Sequence, residues 1–157
     1  MKLCIRQKVF SFGDKFNVYD EYGEVKFTVW GEIFSFGKKL HVEDRYGREV
    51  IFISQRIFTF KPKFELSIIG NDTVEIVKEI TFFRHEYSIP AWNVKIHGNF
   101  LAHDYSVSLD CSEIAFVSKE WLTWGDTYVI DIPDPSHELL SLACVLVVDC
   151  CMESNND

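Results

Sequence analysis

VFSFGDKFNVYDEYG, residues 9–23, returns as IFSFGKKLHVEDRYG at residues 33–47. Nine of the fifteen positions are identical across an offset of twenty-four residues. IFTFKPKFEL at 57–66 is a third, eroded copy, and LTWGDTYVI at 122–130 shares the same opening. A stretch that recurs at a fixed interval is one supersecondary unit used several times, and it sets the architecture before any single residue does.

Inside the unit, apolar and polar residues alternate. Phe16 and Val18 are interleaved with Asn17 and Tyr19; beyond Asp20-Glu21-Tyr22-Gly23 come Val25, Phe27 and Val29, spaced by Lys26 and Thr28. Period-two alternation on both sides of a Gly-containing turn predicts a β-hairpin. The second copy repeats the turn as Asp44-Arg45-Tyr46-Gly47, and Gly13 and Gly37 mark a second bend in each unit. Gly23 and Gly47 are expected at positive φ, which a Cβ resists. In the third copy Lys61-Pro62-Lys63 replaces the bend and Gly70-Asn71-Asp72 the turn. Further strands are expected near 87–89, 92–96, 104–109, 113–117 and 127–132. About ten to twelve short strands joined by short turns predict a closed barrel or a sandwich.

After Ile132 the pattern changes. Asp134 suits a helix N-cap and Pro135 the first helical position. Residues 137–152 read HELLSLACVLVVDCCM, apolar on every face until Asp149. Such a helix is buried on all sides or lies in lipid. The apolar run stops short of the roughly 20 residues that a span needs, so burial inside the protein is expected and no transmembrane span. Sixteen residues make a helix of about 24 Å, near the height of a barrel of tilted strands. A mainly β fold follows, a closed antiparallel barrel of about twelve strands around a buried C-terminal helix. One domain, 1–157, is expected, with strands over about 3–132 and the helix over about 135–152.

Composition bounds the function. The net charge is −8, divided as +3 over residues 1–70 and −11 over 71–157. Nucleic-acid binding needs clustered Lys and Arg and is not expected. No secretory leader pattern opens the sequence. Cys4, Cys111, Cys144, Cys150 and Cys151 show no metal spacing and read as small core residues in a reducing cytoplasm. No nucleophile, phosphate-loop or zinc motif occurs, so neither catalysis, nor a cofactor, nor a metal is expected. His97, His103 and Asp104 surround a turn without enough ligands for a metal. The stretch 104–113 lacks the glycine and the twelfth-position glutamate of a calcium loop. Trp30, Trp92, Trp121 and Trp124, with fourteen phenylalanines, are expected mainly between helix and wall.

The FSFG-containing units at 10–23 and 34–47, followed by the apolar helix, resemble the LURP-one-related family, which shares the Tubby C-terminal-like fold. The resemblance covers nearly the whole chain. It implies a twelve-stranded barrel closed around a hydrophobic helix. Better-known relatives of that fold act at membranes, where Tubby domains bind phosphoinositide headgroups through basic side chains. It thus implies a non-catalytic binding or scaffold domain, cytoplasmic and peripheral to membrane, whose partner is an anionic phospholipid or a protein. No basic cluster matches the lipid-binding relatives by motif. The local candidates for headgroup contact are Lys61 and Lys63, flanking Pro62, with Arg56 and Arg84; solvated lysines at a hairpin tip are the ordinary alternative. Two further readings are a carrier of a small hydrophobic ligand, which needs an empty barrel with the helix outside, and an unrecognised enzyme.

Overall fold

Asp20 and Asp44 organise two turns in the same way. Each carboxylate accepts two backbone N–H bonds, Asp20 from Tyr22 and Glu24 at 2.9 Å each, Asp44 from Tyr46 at 2.9 Å and Arg48 at 3.0 Å. The amide of Arg48 contributes most to holding the Asp44 carboxyl below its usual range. Gly23 and Gly47 close the turns at φ of 83° and 76°, the left-handed region that glycine enters without a Cβ clash. The repeat in the text is therefore a repeat in hydrogen bonding.

The computed structural model describes residues 1–6, 15–32, 36–57, 60, 63–80, 85–122 and 125–154. Among these are twelve strands: β1 (Lys2–Arg6), β2 (Lys15–Asp20), β3 (Val25–Gly31), β4 (Lys39–Asp44), β5 (Glu49–Arg56), β6 (Lys63–Ile68), β7 (Val74–Ile80), β8 (His85–Ile89), β9 (Val94–Asn99), β10 (Asp104–Leu109), β11 (Ser112–Leu122) and β12 (Gly125–Asp131). Each pairs antiparallel with its sequence neighbour, and β1 pairs with β12, Leu3 opposite Ile130, so the sheet closes into a barrel. Closure leaves no open sheet edge. An offset of twenty-four residues is one hairpin, so successive copies advance two strands around the wall and present equivalent connections at the same end.

The two ends differ. The turn end holds tight connections, with an aspartate in five of them: Asp20, Asp44, Asp72, Asp110 and Asp134. Asp110 and Cys111, at φ 49° and 64°, make a two-residue turn with both residues left-handed, the twist a hairpin prefers. The opposite, loop end holds the three longest connections, those between β1 and β2, β3 and β4, and β5 and β6. Gly13, Lys61, Pro62, Arg84 and Trp124, singled out in the sequence, lie outside the described residues.

Asp134 accepts the Ser136 amide at 2.9 Å and starts a 3-10 turn, Pro135–His137, that runs into helix α1 (Glu138–Ser154). This segment has the length and apolarity to cross a membrane. It is instead threaded through the barrel, touching β5 and β6 on one side and β11 on the other. Leu142, Ala143, Cys144, Val145, Leu146, Val147 and Val148 are all 0% exposed. Alternation on the strands supplies the facing layer, Leu40 and Val42 from β4, Phe64 and Leu66 from β6, Val94 and Ile96 from β9.

Three sequence expectations change. The strand expected over 92–96 begins at Val94, because Pro90–Trp92 forms a 3-10 turn ended by Asn93 at φ 52°. Among the described residues the layer between helix and wall is mostly aliphatic: a helix on the axis leaves one side-chain layer on each side, and Val, Ile and Leu fill it in well-defined rotamers. Phe27, Phe64 and Phe100 are inside, while Phe36, Phe60 and Phe116 are exposed. Of the five cysteines, Cys111 is exposed and Cys4 half-buried; only Cys144, Cys150 and Cys151 are core residues.

Gly98 shows how tightly the wall is built. It pairs with Tyr105 at φ 140°, and a Cβ there would lie 2.6 Å from the Tyr105 Cα and 2.7 Å from the Asp104 carbonyl oxygen. Gly98→Ala should destabilise the protein by about 2–4 kcal/mol. Urea unfolding measures this, and an unchanged midpoint would disprove the contact.

Candidate functional site

Among the described residues, four places carry chemistry beyond core packing. The first is the loop end at β3–β4 and β5–β6. Gly37, at φ 81°, packs so that a Cβ would come within 2.9 Å of the Gln55 carbonyl oxygen. The Gln55 amide donates to the Lys38 carbonyl at 2.7 Å, and the Lys38 amide to Gln55 Oε1 at 3.2 Å. The two connections therefore lie side by side. They present Phe36, 90% exposed, Ile57 and a fully exposed Phe60. Leu101, in the turn between β9 and β10, is 85% exposed at the same end. Lys38 Nζ reaches Glu153 of α1 at 3.4 Å, and Lys39 reaches Glu32 at 3.2 Å. Large apolar side chains held out in water mark contact surfaces.

Two of the basic residues singled out in the sequence, Arg56 and Lys63, sit beside this end. Arg56 and Lys63 are brought together as register partners on β5 and β6. Arg56 Nε lies 3.0 Å from Glu65, its terminal nitrogen 2.6 Å from Glu75, and Lys63 Nζ 3.6 Å from Glu75. Two cations thus share two carboxylates on an exposed face, where such pairs contribute about 0–1 kcal/mol each and weaken with salt. Lys61 and Arg84 lie outside the described residues.

The second place is inside the barrel, near the C-terminal part of α1. The Tyr128 hydroxyl donates to Asp149 Oδ2. His103 stacks on the Tyr128 ring at 4.8 Å. Tyr105 is buried with a hydroxyl that no group among the described residues pairs, and Tyr87 and Tyr105 pack on Phe100. Asp149 keeps some solvent contact, yet the surrounding protein desolvates its carboxyl and pushes its pKa up to about 7; the Tyr128 bond opposes that rise and Glu153 adds to it. Burial likewise pushes the Cys144 and Cys151 thiols up to about 12. They are inert as nucleophiles, since the thiolate is the reactive form. Sequence reasoning took Asp149 only as the end of an apolar run. The missed signal is that a lone carboxylate on an otherwise apolar buried helix needs a partner.

The third is an outer aromatic stack. Trp30 and His41 lie 4.0 Å apart and nearly parallel, with Phe52 4.8 Å beyond. His41 Nδ1 meets Glu49 at 2.5 Å and Nε2 meets Glu32 at 3.0 Å, while Trp30 Nε1 donates to Glu43 at 3.2 Å. The His41 bond, more than Lys39, holds the Glu32 carboxyl below its usual range.

The fourth is a cleft of about 580 Å³ at the turn end. The start of α1, the turn between β6 and β7, Trp92 and Leu109 enclose it.

Among the described residues no group of three or more His, Cys, Asp or Glu side chains could hold a metal. His97 pairs with Ser106 at 3.1 Å, whereas His103 faces Tyr128. Residues 104–113 are β10, a hairpin turn and the start of β11.

The comparisons agree with this architecture. A family profile described as LURP-one-related matches residues 1–149. The uncharacterized protein YxjI of Bacillus subtilis (strain 168) is 31% identical over 157 residues, covering 100% of this chain and 97% of that protein. The X-ray structure of an Arabidopsis thaliana protein aligns with a TM-score of 0.65 over 94% of this chain and 89% of that one, at 14% identity. That likeness carries the fold alone, a Tubby C-terminal-like barrel. With the whole described barrel and its helix matched, the chain belongs to the LURP-one-related family.

Proposed function

We propose that this protein is a non-catalytic, cytoplasmic binding domain that rests its loop end on an anionic phospholipid surface. The observation that carries the reading is the pair of exposed phenylalanines, Phe36 and Phe60, held out beside Lys38, Lys39 and Lys63. Apolar tips gain by entering the headgroup region. Lysines and arginines near an anionic leaflet gain about 1 kcal/mol each. Arg56 and Lys63, with Lys61 and Arg84 of the sequence, are the headgroup contacts in this reading. Their carboxylate partners are weak surface pairs that a phosphate can displace. The aspartate-bearing turn end faces away from the leaflet.

A solid interior supports a surface function over the carrier reading, which requires the helix outside the wall. α1 fills the barrel, and no cleft with a convergent acid, base and nucleophile is formed among the described residues.

Co-sedimentation with vesicles containing phosphatidylserine, at low and high salt, tests the proposal. Binding is expected at low salt, weakened by salt, and weakened about tenfold by each of Phe36→Ser and Phe60→Ser, a loss of about 1.4 kcal/mol. Absence of low-salt binding removes it. Full binding by the double variant removes the role of the loop tips.

A further inference from the structure

The turn-end cleft has no part in that reading. Its lining is divided about evenly between polar and apolar surface, and Ile68, Ile69, Trp92, Leu109, Leu139 and Leu140 supply the apolar part. Ile69 is 45% exposed, and Trp92, Leu139 and Leu140 are only partly buried, so α1 is sealed along its middle but open at its first turn. A volume of about 580 Å³ falls in the range of ligand-sized sites, roughly 300–1,000 Å³.

The polar residues decide what could enter. Asn71, Ser136 and Glu138 are in the lining, and Asp72, Asp110 and Asp134 adjoin it along the chain. No Lys or Arg is in the lining. Lys26 pairs with Glu138, and Lys95 pairs with Glu86 on the outer wall. The positive end of the helix dipole is answered by Asp134 as cap and Glu138 in the first turn. Two buried polar atoms at this end of the helix, His137 Nδ1 and Ser141 Oγ, have no hydrogen-bond partner among the described residues. The electrostatic balance beside the apolar part is therefore negative. It rejects an acidic or phosphorylated ligand and favours a cationic one whose remaining surface is apolar. Trp92 adds to this, because an indole face attracts a Lys or Arg cation.

We propose that this cleft is the docking site of a protein partner's basic, apolar segment, a short stretch in which large apolar side chains alternate with Lys or Arg. The apolar side chains sit on Trp92, Leu109 and Leu139, and the cations meet Asp72, Asp110 and Asp134. The site lies at the opposite end of the barrel from Phe36 and Phe60, so a domain resting on a leaflet presents the cleft to the cytoplasm.

The test needs no lipid and stands or falls independently of membrane binding. The full chain is titrated with two synthetic capped tetrapeptides, Lys-Leu-Phe-Lys and Glu-Leu-Phe-Glu, while NMR follows the Trp92 indole N–H and the Ile69 and Leu139 methyls. The basic peptide should shift these signals saturably, bind at least about tenfold tighter than the acidic one and weaken as salt is raised. Ile69→Lys changes an exposed turn residue, and this variant should lose at least about tenfold in affinity, whereas Tyr46→Ser, on an exposed turn away from the cleft, should lose nothing. The proposal is overturned if neither peptide moves the cleft signals at millimolar concentration, if both bind alike, or if Tyr46→Ser loses as much as Ile69→Lys.

Discussion

Removing residues 133–157 should leave a chain with no cooperative thermal transition, and Val145→Asp should do nearly the same to the full-length protein. Leu142 through Val148 are sealed from solvent, and each large apolar side chain buried there contributes about 1.5–3 kcal/mol. For the five Leu and Val side chains the sum is about 7.5–15 kcal/mol, as large as the roughly 5–15 kcal/mol by which domains of this size are stable. Without α1 the inward faces of twelve strands would line an unfilled apolar bore, which collapses or aggregates. An aspartate at position 145 would lie among apolar core residues and carry the cost of an unpaired buried charge, several kcal/mol. Circular dichroism melting with dye binding measures both. A truncated chain that melts cooperatively within a few degrees of the intact protein would mean that the helix is an accessory and not the core.

Asp149→Asn should stabilise the protein above neutral pH and change little near pH 4. The folded pKa, about 7, lies above the ordinary 3.8. Below the ordinary value the carboxyl is neutral in both states and its full contribution is present. Between about pH 4 and 7 the unfolded chain ionises first, so stability falls with pH, and above 7 the loss is complete. Three units correspond to about 4 kcal/mol at 1.36 kcal/mol per unit; the partial solvent contact of Asp149 brings the expected loss to about 2–4 kcal/mol. Asparagine cannot ionise and its carbonyl still accepts the Tyr128 hydroxyl, so the variant should lack this slope. Urea unfolding of both proteins at intervals from pH 4 to 8 gives the comparison. Parallel stability curves would show that Asp149 ionises as easily in the folded protein as in water.

The repeat made the barrel legible because a hairpin is a local object. Its turn residues, Asp20, Gly23, Asp44 and Gly47, and its alternating faces are encoded within a few residues of one another. The helix was legible for a similar reason, since seven successive apolar positions admit no solvent face. The pairing of β1 with β12 is of another kind: Leu3 and Ile130 meet across nearly the whole chain, and no local pattern reports it. The functional surfaces were less legible still. Lys63 and Arg56 stood out as basic residues, but their pairing with Glu65 and Glu75 depends on three strands coming into register. Phe36 and Phe60 read as core aromatics, because a phenylalanine in an alternating segment looks the same whether the chain bends before it or after it. Asp149 and Tyr128 are twenty-one residues apart, on different elements, and meet only when the helix is inside the wall.

The seam between β1 and β12 bears on how the molecule is made. During synthesis the first strand emerges long before its neighbour, and the segment destined for the axis comes after the whole wall. Until then a nascent curved sheet shows unpaired edges and an apolar concave side to its surroundings. Such long-range joining makes folding slow and leaves the young chain prone to sticking, so this barrel should close only once its axial segment has been made, and chaperones that hold apolar surface out of water should assist it until then.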